Sequence, residues 1–308
     1  METCIYGPVP SRRLGRSLGI DLLPAKLCSY DCVYCQLGRT AAKTVKRRPY
    51  RGVDEVLTQL KAALDGGVTA DCVTIAGSGE PTLNSEIGAV IRGIKNVTAL
   101  PVAVLTNGSL LSDESVRQDL LAADIVVPSL DAYNAVMFET VNRPHKSIEF
   151  NRVVDGLADF SRAFSGRLWL EIFIMDGINA APDDAAGFKP LVERIAPTDI
   201  YVNTAVRPPA ESSVKQVDEA VIDYFYQTLG ARRQRDTVFS IRDNDRAADI
   251  GPAILAMAAR RPVTMEDMAA GLAAPREAVR RKVEALLAEG RLDVIRKNTA
   301  TYYRVPIT

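Results

Sequence analysis

Over the first two-thirds of the chain, short apolar runs alternate with longer stretches in which apolar residues recur every three or four positions. The runs Ser17–Leu22, Cys72–Ala76, Val102–Thr106, Ile125–Ser129, Leu168–Ile174 and Asp199–Asn203 are rich in Val, Ile and Leu and read as buried strands. Helical periodicity fills the gaps. Val53–Leu64, for example, sets Val56, Leu57, Leu60 and Leu64 on one face. Strand–helix repeats of this kind build a parallel sheet. Six of them fit a partial (β/α)6 barrel, an α/β fold in which chemistry sits at the carboxyl ends of the strands.

Near residue 247 the pattern changes. Short helices are predicted near Pro252–Arg260, over Thr264–Leu272 with Thr264 as N-cap, and from Pro275, suited to a first helical turn, to Glu289, with Gly290 as the stop. Two strands around Lys297-Asn298-Thr299 follow within Arg291–Val305. Helix–turn–helix with a β-hairpin wing is a small winged-helix domain, with Val279, Val283, Leu286 and Leu287 facing its core. The expected organisation is a barrel over 1–205, a connection over 206–246 that starts stiffly at Arg207-Pro208-Pro209, and the winged helix over 247–308.

A length of 308 residues, 47% hydrophobic and 25% charged, suits this architecture. Lys plus Arg equals Asp plus Glu at 38 each, so global charge favours no acidic partner. No apolar stretch approaches the roughly 18 residues of a membrane helix, and the Met-Glu-Thr-Cys start lacks the apolar core of a secretory signal. With an odd count of five cysteines, a reducing cytoplasm is the expected compartment and a disulfide framework is the poorer reading.

The cysteines carry the chemistry. Cys28, Cys32 and Cys35 stand in the run Cys-Ser-Tyr-Asp-Cys-Val-Tyr-Cys, a spacing that can wrap three corners of a cubane iron–sulfur cluster and leave its fourth iron without a protein ligand. The competing reading is a zinc knuckle closed by Cys4, Cys72 or His145, but a second short-spaced Cys or His pair is lacking. Further polar motifs fall at the predicted strand ends. Gly77-Ser78-Gly79-Glu80-Pro81-Thr82 follows the second strand; its glycines would let a ligand approach the backbone, and Glu80 would accept bonds from an ammonium. Thr106-Asn107-Gly108, Ser129-Leu130-Asp131 and Asp176-Gly177-Ile178-Asn179 end later strands, and Glu171 lies within the fifth.

These residues resemble the radical S-adenosylmethionine (SAM) superfamily, whose cluster motif matches Cys28-x3-Cys32-x-Tyr34-Cys35, including the aromatic residue before the last cysteine. Gly7-Pro8-Val9-Pro10-Ser11-Arg12-Arg13-Leu14-Gly15 and the Gly-Ser-Gly-Glu-Pro-Thr-Leu run resemble a narrower group, the wyosine-type tRNA-modifying synthases. The resemblance covers roughly residues 5–205. It implies a [4Fe-4S] cluster on the three cysteines, with SAM chelating the open iron. Gly77, Gly79 and Glu80 would then lie beside the methionyl amine. Thr106, Asn107, Ser129 and Asp131 would lie near the ribose and carboxylate, and Tyr34, Asn179 and Val202 would meet adenine. Reductive cleavage of SAM would give a 5′-deoxyadenosyl radical that abstracts hydrogen from a substrate, with flavodoxin or ferredoxin as electron donor.

The substrate is less defined. Wyosine synthases hold a second cluster on additional upstream cysteines, whereas only Cys4 lies upstream here, a departure that sets the wyosine reaction itself apart. A substrate of tRNA or another nucleotide-containing molecule stands against a protein or peptide; a cluster-sensing, DNA-binding regulator is the non-enzymatic alternative. Over 247–308 ten Lys/Arg face seven Asp/Glu, too small an excess for a strongly basic nucleic-acid reader. Arg39–Arg51 holds Arg39, Lys43, Lys46, Arg47, Arg48 and Arg51 with no acid; together with Arg12, Arg13 and Arg16 it offers either polyanion contact or an ordinary solvated loop. His145 is either an acid–base group or an ordinary loop histidine.

Overall fold

The apolar runs join into one seven-stranded sheet whose strands follow one another in chain order. β1 (Ile5–Ser11) pairs antiparallel with β2 (Gly15–Ile20). Then β3 (Cys72–Ile75), β4 (Val102–Thr106), β5 (Ile125–Pro128), β6 (Arg167–Ile174) and β7 (Asp199–Thr204) continue in parallel, and the sheet curls into a half-barrel. The computed structural model describes residues 3–11, 13–24, 26–40, 42–231, 233, 250–297 and 300–306. Arg12, Asn298, Thr299 and the later part of the predicted connection, with the change of pattern at 247 (residues 234–249), lie outside the described residues.

The parallel strands match the six expected runs, and β1 is additional. Gly7-Pro8-Val9-Pro10 does not look like a strand, because proline cannot donate to a ladder. An edge strand tolerates it, and the pairing of β1 shifts register between Tyr6 and Val9.

Alternation along the strands separates two faces. One packs Ile20, Val73, Ile75, Val104, Val126 and Ile172 beneath the helices, among them α1 (Val53–Asp65), α2 (Ile87–Val97), α3 (Glu114–Leu120), α4 (Ala135–Val141), α5 (Phe150–Ala163) and α6 (Pro182–Ile195). Fully buried side chains such as Leu60, Ile91, Phe160 and Phe188 contribute about 1.5–3 kcal/mol each. α7 (Glu219–Thr228), inside the stretch expected to be a connection, buries Ile222 and Phe225 in this same core. The concave face carries a smaller cluster of Cys72, Ala103, Ile125, Val127, Trp169 and Tyr201. Leu14, from the turn between β1 and β2, belongs to it, so that turn folds across the inside of the half-barrel.

Beyond the barrel come α8 (Gly251–Arg260), α9 (Met265–Leu272) and α10 (Arg276–Ala288), then a hairpin of β8 (Asp293–Lys297) and β9 (Ala300–Arg304). Thr264 and Asp267 cap α9 reciprocally, and Gly290, at φ +68°, follows the end of α10. Ile254, Met257, Met268, Val279, Val283 and Leu286 form the core of this unit, together with Tyr6 and Val9 from β1. A Cβ on Gly271 would meet the Pro8 carbonyl oxygen at 2.3 Å, so glycine is what lets α9 lie on β1. At the other edge of the half-barrel, Lys297 Nζ donates to the Ala205 and Arg207 carbonyls and Tyr302 Oη to Val206. The unit therefore touches both edges of the sheet.

A buried ion pair fixes it there. Arg260 Nε of α8 lies 3.3 Å from Asp21 Oδ2, and the guanidinium lies over the Tyr6 ring, 5.3 Å from its centroid. Asp21 also accepts from the Ser78 amide and hydroxyl. Breaking a buried pair by removing one partner leaves the other charge uncompensated, at about 3–5 kcal/mol. Asp21→Ala is accordingly expected to lower unfolding free energy by about that much; urea denaturation showing a loss below about 1 kcal/mol would contradict it.

Candidate functional site

The three cysteines lie on the long loop between β2 and α1, which neighbouring strand-end loops pin in place. Glu80 N donates to Leu27 O (3.0 Å), His145 N to Ser29 O (2.8 Å) and Val33 N to Val141 O (3.0 Å). Each thiol faces its own N–H donor. Asn107 Nδ2 lies 3.5 Å from Cys28 Sγ, Asn142 Nδ2 3.5 Å from Cys32 Sγ, and Lys26 Nζ 3.0 Å from Cys35 Sγ.

Two of those donors are held by buried carboxylates. Glu80 Oε2 accepts from the Asn107 amide at 2.6 Å, while Oε1 takes the Thr106 hydroxyl at 2.6 Å and the Thr82 amide and hydroxyl. Asp131 Oδ2 accepts from Asn142 Nδ2 (2.8 Å) and from the Tyr34 hydroxyl (2.5 Å), and Oδ1 from the Phe173 amide (3.0 Å). Tyr34 stacks on Phe173 at 4.1 Å between ring centroids. Burial pushes the Asp131 carboxyl up to about 6 against the pull of its donors, and burial also raises Glu80. Each carboxylate thus stands one residue behind a sulfur's donor, a supporting arrangement that fixes the orientation of ligands around a metal centre.

Gly79, Glu80, Thr106 and Asn107 gather on the Cys28 side of the loop, and Tyr34 and Asp131 on the Cys32 side. Ser129 lies at the same rim, bridged to Glu171. At Gly79 a Cβ would stand 1.6 Å from the Leu27 carbonyl oxygen, so its missing side chain admits the cysteine loop. A Cβ on Gly77, at φ +154°, would likewise meet Asp21 Cγ at 2.3 Å. Asn179 is fully buried, and its amide holds the Met175 amide and the Asp131 and Phe173 carbonyls; its side chain secures the turn. Val202 packs in the helix-facing core and its amide donates to Tyr226 Oη.

Asn142, Lys26 and Ser29 were not anticipated. In Asn142-Arg143-Pro144-His145 it is the asparagine that faces a loop thiol; His145 Nδ1 pairs with Ser147. Much of the basic run is engaged internally. Arg39 and Arg143 share Asp31 and Glu211, Lys43 donates to the Arg143 and Pro144 carbonyls, and Arg47 reaches Asp119 and Thr82 O. Lys46 and Arg48 remain exposed. Of the other zinc candidates, Cys4 sits in the helix-facing core and Cys72 donates to the Pro101 carbonyl at the amino end of β3.

Among the described residues no group of His, Cys, Asp and Glu side chains is gathered as a metal site; the three cysteines are tied through their loop and donors. Their chemistry suits an iron–sulfur cluster. Burial pushes the Cys28 thiol up to about 12 and Cys32 well above its ordinary value, and the nearby carboxylates Glu80 and Asp131 respectively raise them further. Such thiols become thiolates when metal ions supply the compensating charge, and N–H donors to sulfur then tune the cluster's potential.

A family model described as the radical SAM superfamily matches residues 22–188, a span that includes all three cysteines, Glu80 and Asp131. The chain belongs to the radical SAM superfamily. It is an enzyme of the radical SAM class. This radical SAM chain is 32% identical over 237 residues to the UPF0026 protein MJ1312 of Methanocaldococcus jannaschii, covering 75% of this chain and 74% of that one. It is 42% identical over 215 residues to a Brachyspira hyodysenteriae protein described as GTPase Obg, covering 70% of this chain but only 32% of that protein's length. The half-barrel is similar to that of TYW1 with a lysine–pyruvate adduct bound, at a TM-score of 0.51 and 19% identity over 70% of this chain and 72% of that one, a likeness of fold. No helix among the described residues is long and apolar enough to cross a membrane.

Proposed function

We propose that this radical SAM enzyme holds a [4Fe-4S] cluster on Cys28, Cys32 and Cys35, binds SAM beside it, and abstracts a hydrogen atom from a nucleotide-containing substrate in the barrel interior. The observation that carries this reading is the set of three loop thiols, each with its own N–H donor, two of them backed by Glu80 and Asp131. When bound, the cluster would supply the electron that cleaves the C5′–S bond of SAM.

The chain's own residues bind and orient. Among the described residues Glu80 Oε2 has a single N–H partner, the Asn107 backbone amide, and so retains acceptor capacity for the methionyl ammonium of SAM. Asn107 and Asn142 hold the sulfur ligands through their amides, and the Tyr34–Phe173 stack gives the rim an apolar plane beside them. Trp169, Tyr201, Ile125 and Val127 keep the interior apolar, which excludes water from a reactive intermediate. The nucleotide reading rests on the likeness of the Gly7–Gly15 and Gly77–Leu83 motifs to the wyosine-type synthases. The five cysteines leave only Cys4 and Cys72 outside the triplet, fewer than a second three-cysteine cluster needs, which is why the proposal names a nucleotide-containing substrate and not the wyosine reaction itself. The three-helix unit with its hairpin is read as a winged helix that seats on the barrel edges, with flavodoxin or ferredoxin as electron donor.

The test is 5′-deoxyadenosine formation by anaerobically reconstituted protein with dithionite and SAM, with and without total tRNA. Product above an unreconstituted control is expected, rising with tRNA. A full cluster and bound SAM that yield no 5′-deoxyadenosine in either condition would overturn the radical reading; product without a tRNA response would remove the nucleic-acid branch.

A further inference from the structure

The opening Ser11-Arg12-Arg13-Leu14-Gly15 motif lies far in sequence from the cysteine loop, yet it brings a charge into the barrel. Arg13, on the turn that folds across the concave face, places Nη1 2.5 Å from Glu171 Oε2 of β6, with 18% and 21% of the two side chains exposed. The contact lacks hydrogen-bond alignment, since Arg13 Nη1 is buried without a hydrogen-bond partner. The guanidinium also lies over the Tyr201 ring of β7, 5.0 Å from its centroid. Glu171 therefore anchors Arg13 from one side and Tyr201 supports its face.

Glu171 sits just beneath the cysteine loop: it bridges to Ser129, and its charge raises both Asp131 and Tyr34. Arg13 thus meets the concave face at Glu171 and Tyr201. Among the described residues no acceptor takes its Nε or Nη2. A guanidinium presents five N–H donors in a fixed fork that matches carboxylate and phosphate geometry. Trp169, on the same face, is 5% exposed, and its buried Nε1 has no hydrogen-bond partner among the described residues. The Nε and Nη2 edge of Arg13 and the indole N–H of Trp169 therefore both lie at the concave-face cluster, and a buried donor such as this indole costs free energy unless a ligand accepts from it.

We infer that Arg13 is the anchor for an oxyanion, a carboxylate or a phosphate, of the substrate that enters the barrel, with Glu171 and Tyr201 as the residues that position it. The inference rests on the radical SAM reading for its setting, and its ligand binding is independent of cluster loading. The oxyanion accepts from the free edge of Arg13 while Glu171 keeps the opposite edge, so substrate adds to the ion pair without breaking it.

Trp169 is the only tryptophan, so fluorescence excited selectively at tryptophan, beyond the tyrosine band, reports on this site. The experiment titrates the full chain, without cluster, with inorganic phosphate and separately with acetate at constant ionic strength, using chloride as the control. A saturable change with one of the two probes is expected, and which probe gives it distinguishes a phosphate from a carboxylate. Arg13→Gln should weaken that binding at least about tenfold, the loss of one charge-assisted hydrogen bond, and Arg13→Lys should recover part of it. Glu171→Gln should retain binding, because it removes a neighbouring negative charge. No saturable change with either probe, or Arg13→Gln binding as tightly as the native chain while still folded by circular dichroism, would overturn the inference. Anion binding without any SAM cleavage would sink the radical reading and leave the anchor standing.

Discussion

Cys32→Ala is expected to remove nearly all SAM cleavage and most of the iron bound on anaerobic reconstitution. The residue is one of only three thiols on its loop, its sulfur faces Asn142, and behind Asn142 stands Asp131. Losing a supporting residue around a metal ligand costs about 10–100-fold in affinity or activity, so losing the ligand itself should exceed about 100-fold. Asn142→Ala provides the contrast: it keeps the sulfur and removes its donor, and should stay within that 10–100-fold range. Iron and sulfide content, the visible absorbance of the reconstituted protein and 5′-deoxyadenosine yield measure the difference. Cys32→Ala with native iron content and turnover would remove the cysteine loop from the active site.

Gly79→Ala should be the most damaging single-methyl addition to the chain. The new Cβ would lie 1.6 Å from the carbonyl oxygen of Leu27, a backbone atom that cannot swing aside as a side-chain terminus can. The same carbonyl accepts the Glu80 amide at 3.0 Å, so relief of the clash separates the Gly77–Glu80 loop from the cysteine loop. Ordinary overpacking costs about 1–3 kcal/mol, and this change should exceed it and lower cluster occupancy at the same time. Gly177→Ala is the control: its φ is +72° but nothing lies within 4 Å of the added Cβ, leaving a backbone penalty of about 1–2 kcal/mol. Chemical denaturation of the two variants decides the matter, and equal losses would mean that the loops part easily.

The parallel strands were legible because strands covered on both faces must be nearly continuous apolar runs, as in Val102–Thr106 and Leu168–Ile174. β1 was hidden by Pro8 and Pro10, which speak against a strand unless the strand is known to be an edge. The cysteine triplet, Glu80 and Asp131 could be found from spacing and from their places after strands. What those carboxylates touch could not: Glu80 and Asp131 meet Asn107 and Asn142 through contacts that span 27 and 11 positions. Nor could the sequence tell a glycine that admits a ligand from one that admits another loop. The cations of Arg39–Arg51 looked available because their partners, Asp119 and Glu211, lie far along the chain. Arg13 was read as part of a surface patch because a hairpin turn does not announce which way it folds.

The core that β1 shares with the last three helices sets a timetable for biosynthesis. Tyr6 and Val9 share a core with late residues such as Ile254 and Met257, and Arg260 reaches back 257 positions to the Thr3 carbonyl. At roughly 5–20 residues per second, a ribosome would hold that outer surface of the nascent barrel uncovered for tens of seconds after its first strand emerges. Through that interval the strand nearest the amino end is a sticky edge awaiting its lid, and it is there that a chaperone would be of most use to the growing chain.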